Sequence, residues 1–166
     1  MKFIQKYNIA DFEEHKEELL FAIEEIVNLG GAHYANMSHS DYDMKSPNLY
    51  QDRTRALVEP YIQKYVDSWG CGEFVLNHFW FAQYENGGDF GWHTHEGCNL
   101  SAVLTVELPN FMDSTDIYGH IFDTKVVEGD LIIFPAMAPH RSPKVINGRK
   151  TVIGMNLSMQ GSSLNS

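Results

Sequence analysis

Glu73-Phe-Val-Leu-Asn-His-Phe-Trp-Phe-Ala-Gln-Tyr84 is the stretch on which the reading of the fold turns. It is a long apolar and aromatic run, and it reads as a β-strand. It also divides the chain. Before it, apolar residues recur at helical spacing. After it, they alternate or form short β-branched and aromatic runs. Upstream, a helix is expected over 12–28, with Leu19, Leu20, Ile23, Ile26 and Val27 on one face. Asp11 is its candidate N-cap, Glu14 the capping-box partner, and Gly30-Gly31 the stop. A second helix is expected over 49–69, with a stripe from Leu57 to Trp69 that Pro60 should start, kink or split. Downstream, strands are expected over 100–107, 130–134 and 150–158, with a weak one over 119–123. Helices first and strands afterwards, without alternation, argue against a doubly wound sheet. They predict a mostly β fold, a sandwich or barrel with the N-terminal helices packed outside.

The 166 residues suit a single domain. Residues 1–72 would form a helical support, 73–158 the β core and 159–166 a flexible tail. With 43% hydrophobic residues the chain can bury a core. Twelve Lys and Arg against 22 Asp and Glu leave a net charge of −10, which disfavours nucleic acid as a partner. No apolar run approaches the roughly 18 residues that span a bilayer, so no membrane is expected. The N-terminal Met1-Lys2-Phe3-Ile4-Gln5-Lys6 is not followed by the apolar segment of a signal peptide. Cys71 and Cys98 do not make a disulfide framework and are expected as reduced thiols. Together these predict a cytoplasmic protein. Residues 32–46 have no clear period and read as a long aromatic loop, expected to cover the mouth of a site with Tyr34 or Tyr42 near the substrate.

Histidines carry the chemistry. In the extended run Gly91-Trp92-His93-Thr94-His95-Glu96, residues two apart share a face. His93 and His95 would therefore stand about 6–7 Å apart along one strand face and can converge on one metal ion. His140 is the best third ligand. It ends the unit Asp130-Leu-Ile-Ile-Phe-Pro-Ala-Met-Ala-Pro139-His140, on backbone stiffened by Pro139 and Pro143. Three protein ligands leave open coordination positions, as a catalytic metal requires. Glu96 has the wrong parity, although a bulge at Thr94–His95 could bring it to the metal in place of His95. Past the Asn147-Gly148 turn, Arg149 and Thr151 share one strand face and make a fork for a carboxylate. Lys150 has the opposite parity and is expected to point outward. A competing register makes Lys150 the carboxylate partner, ten residues after His140.

The segment Tyr84-x-x-Gly87-Gly88-x-Phe90-x-x-His93-x-His95 resembles the Tyr-x-x-Gly-Gly-x-Tyr-x-x-His-x-Asp segment of prolyl-4-hydroxylase-like oxygenases. The continuation is similar to small bacterial and phage iron(II)/2-oxoglutarate oxygenases. Its pieces are Ser101-Ala-Val-Leu-Thr-Val106, then Gly129-x-Leu131-x-x-Phe134-Pro135 with His140, then Arg149 and Met155-Asn156. The resemblance covers roughly residues 73–158. It implies a double-stranded β-helix, the jelly-roll or cupin-like fold, with supporting α-helices. It implies Fe(II) and 2-oxoglutarate as cofactors, dioxygen as cosubstrate and ascorbate as reductant in vitro. It matches His93 and His140 to the two histidine ligands, Arg149 and Thr151 to the pair holding the distal carboxylate, and Tyr84 to a further contact on the cosubstrate.

One departure stands out. The family's facial triad has two histidines and one carboxylate, and here His95 holds the carboxylate position. The function implied is a 2-oxoglutarate-dependent dioxygenase that hydroxylates an unactivated carbon of a peptidyl, even prolyl, or small-molecule substrate. Two other readings compete. One is a three-histidine cupin-type dioxygenase that does not use 2-oxoglutarate. The other is a non-catalytic β-sandwich binding module.

Overall fold

A computed structural model describes residues 2–30, 36–45 and 48–160. In chain order its elements are β1 (Gln5–Asn8), α1 (Glu13–Asn28), β2 (His39–Ser40), α2 (Gln51–Ser68), β3 (Glu73–Tyr84), β4 (Phe90–His93), β5 (Leu100–Glu107), β6 (Asp116–Ile117), β7 (Asp130–Pro135), β8 (His140–Ser142) and β9 (Lys150–Gln160). A short 3-10 turn, Phe111–Asp113, precedes β6. The strands form two antiparallel sheets. The larger has the order β1-β7-β5-β9-β3-β2 and the smaller β4-β8-β6. This is a jelly roll with helices on its outside, as the sequence predicts.

Strand alternation explains the layering. On β9, Ile153, Met155 and Leu157 pack into one buried cluster with Leu19, Ile23 and Ile26 of α1 and Val58, Ile62 and Tyr65 of α2. Val152, of opposite parity, joins a second cluster with Trp80, Ala82, Tyr84, Val103 and Phe134. Ile117 of the smaller sheet belongs to that second cluster. One face of the large sheet therefore binds the helices, and the other lines the interior of the roll.

The expected elements shift in instructive ways. Asp11 does not cap α1 through its side chain. It takes a left-handed conformation, φ 55°, and its backbone carbonyl accepts from the Glu14 N–H at 3.0 Å. The expected capping box therefore does not form. Pro60 neither starts nor splits α2, which runs through it. Pro60 and Ala56 are both exposed, so the carbonyl that loses its donor can turn to water. The weak strand expected over 119–123 is absent. The short strand β6 ends before it, at Ile117, and Gly119 follows in a turn at φ 71°. β1, β2, β4 and β8 are each four residues or fewer, too short to show a period. No helix among the described residues is long and apolar enough to cross a membrane. Of the expected tail over 159–166, Met159 and Gln160 end β9, and the remainder lies outside the described residues.

Candidate active site

His93 ends β4 and His140 begins β8, and the two residues are register partners across the small sheet. His95 follows just past β4, where its backbone N–H donates to the Ala136 carbonyl at 3.0 Å. That bond anchors the segment against the turn leading into β8. The ligating atoms of all three histidines lie within 4.8 Å of one another. The Nε2 atoms of His95 and His140 are 3.1 Å apart. Two nitrogens each about 2.1 Å from one ion would be about 3 Å apart at a right angle. Glu96 is exposed and stands outside this group.

The protonation pattern suits a ligand set. His140 Nδ1–H donates to the Ala138 carbonyl at 3.1 Å, and His93 Nδ1–H to the Gly91 carbonyl at 2.8 Å. A carbonyl only accepts, so each Nδ1 must carry the proton. Each Nε2 is then left with a free lone pair. Burial pushes His140 down to about 3 and His95 down to about 4, with neighbouring histidines adding to both shifts, and burial also lowers His93. All three rings are neutral near pH 7. Three neutral imidazoles converging from one side suit a first-row transition ion such as iron, nickel, copper or zinc.

The histidines stand at the edge of a cavity of about 230 Å³ inside the roll, lined by Trp80, Tyr84, Phe90 and Val152 among others. Tyr42 and Met37 line it too. The 32–46 segment thus reaches the site through Tyr42, while Tyr34 lies outside the described residues. Trp80 forms a wall 5.4 Å, centroid to centroid, from His95. It fits because its cross-strand partner is Gly154. A Cβ on Gly154 would lie 2.4 Å from the indole.

The expected anion fork is placed elsewhere. Arg149 and Thr151 do share a face, but it is the helix-facing one. Arg149 Nε donates to Glu107 Oε2 at 2.8 Å, and Nη1 pairs with Glu24 of α1. Thr151 Oγ1 donates to the same Glu107 oxygen at 2.9 Å. Neither residue lines the cavity. This corrects the expected register by one residue: alternation places Arg149 and Thr151 together, on the opposite face from the one expected.

Lys150 has the parity of Val152 and Gly154 and is fully buried. Its Nζ donates to the Ser142 hydroxyl at 2.7 Å and to the Asp113 carbonyl at 2.6 Å, and it sits 5.3 Å from the centre of the Tyr84 ring. Ser142 and Tyr84 both line the cavity. Burial lowers the Lys150 ammonium to about 7, against the opposing pull of Asp113 and Asp116. Burial raises the Tyr84 phenol, which stays protonated. Lys150, Tyr84 and Ser142 thus form a compact donor cluster within the roll.

Gly154 was the available signal for this register. A glycine inside a strand marks close approach, and the bulky Ile153, Met155 and Leu157 take the opposite parity. Trp80 and Arg141, both at the cavity, gave no motif.

No protein-family model matches the chain, and no curated protein matches it. Solved structures do. The chain is similar to a viral collagen prolyl hydroxylase from Paramecium bursaria Chlorella virus-1, in complex with 2-oxoglutarate, at 14% identity. That match covers 96% of this chain and 97% of the other, with a TM-score of 0.67. It is similar to a prolyl hydroxylase from Trichoplax adhaerens in complex with a hypoxia-inducible-factor peptide fragment, at 12% identity, 95% and 84% coverage and TM-score 0.68. It is also similar to HygX from Streptomyces hygroscopicus, with nickel and 2-oxoglutarate bound, at 10% identity, 95% and 83% coverage and TM-score 0.68. Three imidazoles and a buried lysine thus stand in a jelly roll that shares its fold with these solved structures.

Proposed function

We propose that the protein is an Fe(II)- and 2-oxoglutarate-dependent dioxygenase that hydroxylates an unactivated carbon of a peptidyl or small-molecule substrate. The observation that carries this reading is an imidazole triad at a cavity two of whose lining residues, Ser142 and Tyr84, are met from behind by a fully buried lysine. A dicarboxylate bound to a metal at one end needs a cation at the other, and Lys150 with Ser142 and Tyr84 supplies it. His93, His95 and His140 would hold the ion, with His95 in the place where the resembling family carries a carboxylate. Iron(II) with 2-oxoglutarate supplies dioxygen activation and attack on a C–H bond.

The chain's own residues bind and orient. The Ala138 and Gly91 carbonyls fix the ligating tautomers of His140 and His93. Trp80, Phe90 and Val152 surround the reacting space with apolar groups, which keeps bulk water from it. Lys150 is drawn toward the protonated state when a carboxylate arrives beside it, because a nearby opposite charge favours the charged form. The neighbours' peptide and prolyl names support a peptidyl substrate, prolyl included.

The third histidine favours the competing cupin-type dioxygenase that does not use 2-oxoglutarate, whereas Lys150 would then be a buried cation without a task. A succinate-formation assay with Fe(II), ascorbate and 2-oxoglutarate, with and without candidate peptides and small acids, separates the two. Succinate that requires both iron and an intact His140 supports the proposal. Dioxygen uptake with iron but no consumption of 2-oxoglutarate contradicts it.

A further inference from the structure

The cavity is out of character with the chain around it. The net charge is −10, yet no aspartate or glutamate among the described residues lines the cavity, and Arg141 does. Arg141 directly follows His140 on β8. Its guanidinium carbon lies 4.7 Å from the centre of the Trp92 ring, and Trp92 directly precedes His93 on β4. Trp92 meets Tyr118 edge-on, at 5.7 Å and 85°. Both rings are open to solvent, Trp92 at 47% and Tyr118 at 73% exposure.

Asp116 holds the guanidinium from one side. Nε and Nη2 donate to its Oδ2 at 3.0 and 2.8 Å. Nη1 has no hydrogen-bond partner among the described residues. The Nη1–Nη2 end of the fork therefore stays open, on a group already fixed by an ion pair and an aromatic face. A guanidinium restrained this way gives up little further freedom when it grips a planar anion. The cavity lining itself carries no carboxylate, Asp116 standing outside it on the guanidinium, so a small anion that enters meets imidazole, hydroxyl and guanidinium groups. A polyanion would meet the −10 surface first.

We infer that Arg141, seated on Trp92, is a specificity-determining residue that takes a carboxylate of the substrate. The molecule oxidised is then a small organic acid whose apolar body packs at the cavity rim, beside the exposed edge-to-face pair Trp92 and Tyr118. This rests on the oxygenase reading of the adjoining imidazole site and deepens it, choosing a small acid over a neutral peptide segment. Lys150 serves the cosubstrate's distal carboxylate and Arg141 the substrate's.

The test uses benzoate and its neutral isostere benzamide as probes, titrated calorimetrically into the full chain loaded with redox-inert Mn(II), with and without saturating 2-oxoglutarate. Benzoate should bind at least 10-fold tighter than benzamide, and saturating 2-oxoglutarate should not displace it. Arg141→Gln should abolish the preference, and Trp92→Ala should weaken both probes, with circular dichroism confirming that each variant is folded. Equal binding of the two probes, no benzoate binding, displacement of benzoate by 2-oxoglutarate, or an undiminished preference in Arg141→Gln would overturn the inference. Failure of succinate formation would instead count against the oxygenase reading, and the probe titration reads independently of turnover.

Discussion

The indole of Trp80 fills the space that a side chain at Gly154 would need: the missing Cβ would fall 2.4 Å from Trp80 Cε2 and Cζ2. The pair faces across β3 and β9, and the indole also neighbours His95, at 5.4 Å between ring centres. Gly154→Ala should therefore displace Trp80, a neighbour of the third histidine. Overpacking of this kind costs about 1–3 kcal/mol. Urea unfolding should show that loss, and metal affinity should fall with it. A Gly154→Ala variant with unchanged stability and unchanged metal binding would show that Trp80 has room to move.

The three histidines should behave as one ligand set and Glu96 should not join them. His140→Ala and His95→Ala should each lower bound metal, measured by elemental analysis after gel filtration, by an order of magnitude or more. Glu96→Ala should leave it unchanged, since Glu96 is exposed and outside the cluster. Metal lost in Glu96→Ala but kept in His95→Ala would exchange their roles.

Lys150 and Arg149 should separate cleanly. A charge-assisted hydrogen bond to the cosubstrate carboxylate contributes roughly 1.5–3 kcal/mol. Lys150→Ala should therefore raise the 2-oxoglutarate requirement about 10- to 100-fold or more, at 1.4 kcal/mol per decade. Arg149→Ala should barely move it. Its ion pairs go to Glu107 and Glu24, away from the cavity lining, and are only part-buried. The 2-oxoglutarate dependence of both variants decides this, and a large effect at Arg149 alone would restore the register expected from sequence.

The metal-free protein should lose stability as pH falls. Burial lowers His140 to about 3 and His95 to about 4 in the folded state, against about 6.5 when unfolded. Between those values the unfolded chain binds more protons, so unfolding becomes easier as pH drops below about 6.5. One proton corresponds to at most about 1.4 kcal/mol per pH unit. His140→Gln should flatten the profile between pH 6.5 and 4.5, followed by urea titration. An unchanged slope would mean that His140 is not held neutral by its surroundings.

Much of this was legible in the sequence because periodicity reports burial. β5 appears at its expected bounds, and β3, β7 and β9 begin where expected, since each is long enough for a run of apolar residues to stand out. Parity singled out His93 and His95, and the family resemblance with the stiff turn singled out His140; the structure brings the three together, although His95 lies just past β4, where strand parity no longer applies. The facing of β9 was not. Arg149 and Lys150 are adjacent cations, and alternation says only that they point opposite ways. Which way depends on where α1 puts Glu24, and on Trp80 claiming the space beside Gly154. Both are contacts between residues far apart in the chain. Arg141 and Trp92 were invisible for the same reason, since their stacking exists only once β4 and β8 pair.

The central claim is that one cavity holds a metal at His93, His95 and His140 and a dicarboxylate between that metal and Lys150. Calorimetric titration of 2-oxoglutarate into the Mn(II)-loaded and the metal-free protein tests it most directly. The account predicts one site per chain, tight only with metal present, lost in His140→Ala and weakened at least 10-fold in Lys150→Ala. Absence of 2-oxoglutarate binding to the metal-loaded protein, or equal binding with and without metal, would contradict it.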